Sequence, residues 1–188
     1  MENTALEEWI AAPRPALVAA VAEGIRNHVD ALRSRGIEFY GYALLPGEPY
    51  ELSSLSAVSN TEADIKRPAS NPAYLHYRYS VDEWAHWDHD QFAAANELLE
   101  QEKEKFSSRH PKAEDDFEMD PFELAHADAL YEAIVQGLEA AKAGGTFGEC
   151  EPFLAIWISD SEHPIMAESV KRLNSAAMAA EFAGEFGG

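Results

Sequence analysis

The sequence is poor in cationic side chains. It holds 14 Lys and Arg residues against 34 Asp and Glu residues, so its formal net charge is −20 over 188 residues. Proteins grip nucleic acids and anionic membranes with Lys and Arg side chains that displace counterions from phosphates. The composition therefore predicts neither a nucleic-acid nor a membrane partner, and it favours a basic protein as the partner.

Thiol chemistry is also scarce, because Cys150 is the one cysteine. A single thiol cannot form an internal disulfide or a paired-thiol metal site. The neighbouring Glu149 and Glu151 place negative charge beside it, which disfavours a nucleophilic thiolate. Nothing in the cysteine content indicates an oxidising compartment or a cysteine-based active site.

Long apolar runs and common catalytic motifs are missing too. The run FLAIWI at 153–158 is far shorter than the roughly 20 residues that span a bilayer. The first nine residues carry three glutamates and no Lys or Arg, unlike a secretory signal, so we expect a cytoplasmic protein. No Gly-x-Ser-x-Gly elbow, phosphate-binding loop or dinucleotide fingerprint occurs. These absences favour a non-enzymatic protein without a cofactor.

What is present is enough apolar material for one core. Hydrophobic residues make up 46% of the chain and aromatic residues 11%, and no linker or repeat divides it. We expect a single domain over residues 1–188. The first ~12 residues and the glycine-rich tail after Phe182 are expected to be peripheral.

The first half of the chain predicts a helix followed by a hairpin. Apolar residues at helical spacing predict a helix over 16–33, with His28 as a packed core residue. Segments 37–45 and 50–58 read as paired strands, joined by a type II turn with Pro46 and Gly47 at its centre. Gly41, inside the first strand, indicates a bulge or a group packed closely on the backbone. A third strand is predicted at 75–79.

The second half predicts three further helices and a strand. Ser80 and Glu83 form a capping-box pattern that opens a helix toward Ser107, and Asp120 opens another that ends at Gly144. Its apolar seam begins at Leu124. Segment 153–158 predicts a strand buried on both faces and central in the sheet, followed by a helix from 164. This order predicts an α+β fold, with helices packed on a small, mostly antiparallel sheet.

An acidic cluster is the first candidate binding site. Glu114, Asp115, Asp116 and Glu118 surround Phe117, with Met119 beside them. Charges speed the encounter with a basic partner, and an aromatic side chain supplies buried contact area. The alternative is a solvated loop without a binding role.

Two other groups of side chains are candidates. On a helix, Asp82, His86 and His89 would share one face, and imidazole with carboxylate suits a divalent metal; the alternative is a solvated acidic helix. Tyr40 and Tyr42 alternate along one strand, so we expect them on the same face, where they line a groove or pack in the core.

Several motifs carry a family resemblance. They are FYGYA at 39–43, AVSNTE at 57–62, YRYSVDEW at 77–84 and FLAIWISD at 153–160. Together they resemble the family catalogued as domain of unknown function 4303. The resemblance implies a small bacterial intracellular protein and transfers no activity and no catalytic residues. The leading hypothesis is a non-enzymatic binding protein, and analogy with other small acidic families suggests a toxin-neutralising immunity protein as its specific form.

Three classes of function remain open at this point. The first is an acidic protein-binding module, with immunity against a basic toxin as its specific form. The second is a structural or regulatory homo-oligomer. The third is a metal-dependent enzyme that uses His86, His89 and nearby carboxylates.

Overall fold

The centre of the fold is a mixed sheet. The computed structural model describes residues 2–47, 49–50, 52–112 and 118–187. Over these residues the strands are β1 (Gly41–Pro46), β2 (Leu55–Asn60), β3 (His86–Asp88) and β4 (Phe153–Ile156), in the spatial order β3-β2-β1-β4. β1 pairs antiparallel with β2 and parallel with β4, and β2 pairs antiparallel with β3. The predicted α+β fold with a mostly antiparallel sheet is confirmed.

Helices cover both faces of this sheet. They are α1 (Glu2–Ile10), α2 (Pro15–Ser34), α3 (Tyr74–Tyr79), α4 (Ala93–Arg109), α5 (Pro121–Ala143), α6 (Ile165–Leu173) and α7 (Ala176–Phe186). Two 3₁₀ turns, Glu62–Asp64 and Val81–Glu83, join the short elements between β2 and β3. No helix within the described ranges has both the length and the apolar character needed to cross a bilayer.

α2 and α5 pack on one face of the sheet and form the larger core. α2 follows its predicted bounds closely, and His28 is buried on it as expected, with its Nδ1 3.1 Å from the hydroxyl of Tyr42. Burial lowers the pKa of His28, so the ring stays neutral. α5 begins at the predicted cap, where Asp120 accepts from two first-turn amides and Glu123 returns a bond to the Asp120 amide.

Aromatic side chains dominate the core on the other face. Tyr79, Trp84, Phe153, Trp157 and Phe182 are all buried there. A Cβ on Gly41 would lie 2.5 Å from the Trp84 ring. The close approach predicted for this glycine is therefore confirmed, since the indole lies directly on the strand backbone.

β4 is an edge strand, so its predicted central position is wrong. All four of its residues are buried, because α6 and the segment after it cover the outer edge. Asn174 accepts from the Leu154 amide and donates to the Leu154 carbonyl, both at 2.7 Å. The hydroxyl of Ser169 accepts from the Ile156 amide at 3.0 Å. Side chains thus satisfy backbone groups that a fifth strand would otherwise bond.

Three local predictions are also wrong. The predicted strand at 75–79 is helical (α3), and the third strand is β3 instead. Ser80 makes no side-chain cap, and the turn after it ends at Glu83 rather than extending into a helix. Gly47 lacks the positive φ of a type II turn, and the hairpin closes through a longer loop in which the Gly47 amide donates to the Ser54 carbonyl.

Candidate functional site

The predicted acidic cluster falls mostly outside the described residues. Glu114, Asp115, Asp116 and Phe117 lie in that undescribed part of the chain. Glu118 is exposed, and its main-chain carbonyl accepts a hydrogen bond from Lys112. The docking role of this cluster stays a prediction.

The three metal-ligand candidates do not share a helix face. Asp82 lies in a 3₁₀ turn and accepts from the hydroxyl of Ser159 at 2.5 Å. His86 is in β3, where its Nε2 lies 3.0 Å from Oδ2 of Asp64. His89 follows β3 and stacks on Trp87. Within the described residues, no group of three such side chains is arranged to hold a metal ion.

Tyr40 and Tyr42 lie on opposite faces of the sheet, against the prediction. Tyr42 is buried in the larger core, where burial raises its pKa. Tyr40 precedes β1 at a bend and packs in the aromatic core beside Trp84. Its hydroxyl donates to the Arg78 carbonyl at 2.8 Å, and burial raises its pKa to about 12. Both tyrosines serve the packing of the domain.

Exposed apolar side chains gather on a different surface. The large hydrophobic residues with the greatest exposure in the described chain are Tyr50 (40%), Trp87 (44%), Met119 (39%) and Leu124 (41%). Tyr50 lines two recesses, of which Met119 lines one and Leu124 the other. We call Tyr50, Met119 and Leu124 the docking face. Clustered exposed apolar side chains are typical of interaction sites, whereas single ones are ordinary.

The hairpin loop holds Tyr50 in place. Tyr131, buried in α5, donates its hydroxyl to the Pro49 carbonyl at 2.7 Å. Leu52 is buried in the larger core. The Tyr50 ring lies 5.8 Å from the ring of His163, measured between centroids. The contacts of Pro49 and Tyr50 thus place the Tyr50 side chain against α5 and His163.

The start of α5 holds the other two residues of the docking face. Leu124 is in the first turn of α5, directly after the Asp120 cap, and Met119 precedes that cap. Asp120 also lies 2.5 Å from Nε2 of His110. Although burial opposes its ionisation, the hydrogen bonds from His110 and the first-turn amides hold the pKa of Asp120 below its ordinary value. The cap is therefore charged at neutral pH.

The recess beside Leu124 is acidic. It has a volume of about 520 Å³, and Asp128, Glu132 and Glu168 line it without any Lys or Arg from the described chain. Hydrogen bonds from Arg172 lower the pKa of Glu132, so that carboxylate is ionised but paired, and Asp128 and Glu168 supply the remaining negative charge. Burial lowers the pKa of His163, so its ring adds no positive charge at neutral pH. This recess favours cationic groups.

The recess beside Met119 is smaller and mixed in charge. It encloses about 390 Å³ between α4 and α5, and Lys103, Lys112 and Glu123 line it. Lys112 Nζ lies 2.8 Å from a Glu123 carboxylate oxygen. Deeper in the wall, His126 stacks on Phe106 with ring centroids 4.4 Å apart. Burial lowers the pKa of His126 to about 4, so this wall is neutral and rigidly packed.

The family model described as Domain of unknown function (DUF4303) matches residues 21–175. The chain belongs to this family. The DUF4303 match begins within α2 and includes the whole sheet, the docking face and α6, whereas α1 and α7 lie outside it. No curated protein and no solved structure matches the chain.

Sequence reasoning missed two of the three residues of the docking face. The sequence pattern predicts Leu124 in the buried seam of α5 and Tyr50 in a strand, whereas both side chains are exposed and Tyr50 lies in the hairpin loop. The position of Leu124 in the first turn of α5 is a signal of its exposure. The first turn of a capped helix extends beyond the sheet that buries the other apolar residues of the helix. Met119 was noted only as a neighbour of the acidic cluster. No local pattern predicts the exposure of Tyr50, which depends on the loop anchored by Tyr131.

Proposed function

We propose that this protein is a non-enzymatic binding module that captures a basic protein through its docking face. The observation that carries the proposal is the placement of two exposed apolar side chains, Tyr50 and Leu124, in the lining of an acidic recess. The specific form that we favour is a toxin-neutralising immunity protein, whose basic target is masked on binding.

Apolar contact and charge have separate roles in this proposal. Tyr50 and Leu124 would be desolvated at the centre of the interface and slow dissociation. Asp128 and Glu168 would lie beside them and attract the basic partner over distances near the Debye length. The net charge of −20 extends this attraction to the whole molecule.

The same charge weighs against the homo-oligomer hypothesis. Two copies that approach each bring a formal charge of −20, and their repulsion opposes association at low salt. The metal-enzyme hypothesis assumed that Asp82, His86 and His89 share one helix face, and these residues do not lie on one helix. A basic protein partner is the alternative that the charge distribution favours.

The test first searches the neighbourhood of this chain's gene for a basic protein, and then measures binding to that protein by surface titration at about 50 and 300 mM salt. Asp128→Asn with Glu168→Gln removes charge from the recess, and we expect a slower on-rate at the lower salt concentration. The matched control is Glu97→Gln with Glu100→Gln, which removes the same charge from an exposed part of α4. Neutralising Glu114, Asp115, Asp116 and Glu118 together is expected to slow association further.

Cytochrome c serves as an unrelated basic protein in the same titration. Binding that survives the higher salt concentration for the neighbouring protein but not for cytochrome c supports a specific interface. Equal on-rates for the recess variant and its control would contradict the proposal. So would a gene neighbourhood without any basic partner protein.

A further inference from the structure

The recess beside Met119 has an apolar interior. It encloses about 390 Å³ between α4, the start of α5 and the hairpin loop. Leu52, Phe106 and Leu130 line it, and all three are buried. Tyr50 and Met119 complete its apolar lining. Small-molecule sites enclose roughly 300–1,000 Å³ and combine apolar side chains with a few polar groups, so this recess has the size and the lining of such a site.

A buried side chain in the same lining lacks a hydrogen-bond partner. His126 is 5% exposed, and its Nε2 makes no hydrogen bond to any described group. Its ring stacks on Phe106 and Trp9, with centroids 4.4 and 5.4 Å away, and neither ring can satisfy the nitrogen. Burial holds the pKa of His126 at about 4, so the imidazole is neutral at pH 7. Because buried polar groups are normally satisfied, this nitrogen points to a partner that an occupant of the recess supplies.

The charged side chains of the recess disfavour an ionic occupant. Lys112 Nζ lies 2.8 Å from a Glu123 carboxylate oxygen, so these two charges balance each other. Lys103 also lines the recess and would repel a cation. An anion would meet Glu123 and the field of a protein whose net charge is −20. The occupant that fits this lining is therefore neutral.

We propose that the recess beside Met119 binds a small neutral phenol. The aromatic ring would lie against Leu52, Phe106 and Leu130, and the hydroxyl would hydrogen-bond with Nε2 of His126. A hydroxyl suits this nitrogen in either tautomer, because it both donates and accepts. A phenol is un-ionised at pH 7, since its pKa is about 10. This site goes beyond the docking function, because it requires no protein partner.

The first test compares p-cresol with p-xylene, which has nearly the same shape but no hydroxyl. Methionine-methyl spectra report binding, because four methionines give few signals and Met119→Leu assigns the one in the recess. We expect both compounds to shift this signal saturably, and p-xylene to bind about 2- to 10-fold more weakly, the effect of one net hydrogen bond. Equal affinities, or no binding of p-cresol, would overturn the proposal.

A histidine variant locates the hydrogen bond. His126→Phe keeps a ring against Phe106 and removes the nitrogen, so the affinity for p-cresol should fall to that for p-xylene. The matched control is His89→Phe, because His89 is exposed and lies outside the lining of the recess. The control should keep the wild-type preference for p-cresol. A preference that survives in His126→Phe would contradict the assignment of His126.

A serine variant locates the site itself. Ser107 is an exposed residue of α4 that lines the recess, so the indole of Ser107→Trp should occupy the space and abolish binding of both compounds. Ser108→Trp places the same side chain one residue further, outside the lining, and should leave binding unchanged. Undiminished p-cresol binding by Ser107→Trp would show that the compound binds elsewhere.

A final arm distinguishes a free phenol from a tyrosine side chain as the source of the ring. It replaces p-cresol with a blocked Gly-Tyr-Gly peptide. Tighter binding of the peptide assigns the recess to a tyrosine of a protein, and its exclusion assigns the recess to a small free phenol. All these measurements use the protein alone, so their outcome is separate from that of the titration with a basic partner.

Discussion

The docking face and the aromatic core on the other face of the sheet both contain large apolar side chains, yet the exposure of those side chains is opposite. At the docking face, Tyr50 and Leu124 project outward at 40% and 41% exposure, with acids beside them. In the aromatic core, Trp157 and Phe182 are only 6% and 4% exposed. Substitutions in the aromatic core should therefore cost stability, whereas substitutions on the docking face should cost binding alone.

The largest expected effect comes from Trp157, because its ring is buried in the aromatic core. Trp157→Ala is expected to lower the free energy of unfolding by about 3–5 kcal/mol, as large aromatic truncations in packed cores do. Trp157→Phe keeps a ring and removes the unpaired N–H, so it should cost less. Denaturant melts measure both. A loss below ~1 kcal/mol for Trp157→Ala would show that the Trp157 ring contributes little to the packing of the aromatic core.

Beneath the docking face, His126 makes stability depend on pH. Burial lowers its pKa to about 4, from an ordinary value near 6.5. A base with a lowered folded-state pKa stabilises fully above pH 6.5 and loses that stability as the pH falls toward 4. At pH 4.5 the loss relative to pH 7 is about 2–3 kcal/mol.

His126→Phe removes this titration and should make the stability profile between pH 7 and 4.5 less steep, while the lowered pKa values of His28 and His163 keep part of the slope. The control is His89→Gln, because His89 is exposed and should leave the profile as in the wild type. Urea melts at several pH values across this range measure the free energy of unfolding of each variant. A wild-type profile that is already flat would show that His126 is accessible to protons in the folded state.

At the outer edge of β4, the Asn174 side chain makes the two backbone hydrogen bonds with Leu154 that a neighbouring strand would otherwise make. Asn174→Ala leaves the buried Leu154 amide and carbonyl without partners, so we expect a loss of about 1–3 kcal/mol. Asn27→Ala, on an exposed position of α2, is the matched control and should be near neutral. Similar melting of the two variants would indicate that water or backbone movement satisfies the edge.

The smallest expected effect distinguishes two superficially similar caps. Asp120→Ala should cost roughly 0.5–2 kcal/mol, because Asp120 accepts from two amides of α5. Ser80→Ala should cost less than ~0.5 kcal/mol, since its hydroxyl caps nothing. Equal losses in thermal melts would mean that Ser80 has a structural role after all.

The sequence predicts an element of this structure well when the residues that specify the element are close together along the chain. The long helices α2 and α5 follow from local periodicity and from a cap whose partners are three residues apart. The hairpin strands follow from their composition. Such elements are specified by near neighbours, so a single sequence is enough to predict them.

The errors arose where distant residues decide the outcome. Segment 75–79 is rich in aromatic residues, which favour strands, but Tyr79 reaches α7 and donates to Glu181 at 2.6 Å, and Arg78 donates to Tyr74 one turn earlier. β4 appears central because it is uniformly apolar, yet Asn174 and Ser169 cover its edge. Composition alone cannot distinguish a strand covered by side chains from one covered by strands.

The candidate site was predictable only in its chemistry. The acidic balance and the aromatic residue within acids indicated a basic partner, but the exposed Tyr50 depends on Tyr131, far along the chain. The predicted helix face for Asp82, His86 and His89 is wrong, because the chain forms a turn and a short strand there.

The most direct test of the docking face uses a double variant that carries both Tyr50→Ser and Leu124→Ser. Its control is Trp87→Ser, which changes an exposed aromatic residue on the edge strand β3. Two quantities are measured for each variant: the rate of dissociation from the basic protein identified beside the gene, and the free energy of unfolding. The account predicts that the double variant dissociates at least ~10-fold faster while its stability stays within about 0.5 kcal/mol of the wild type. An unchanged dissociation rate, or the same acceleration by Trp87→Ser, would contradict it.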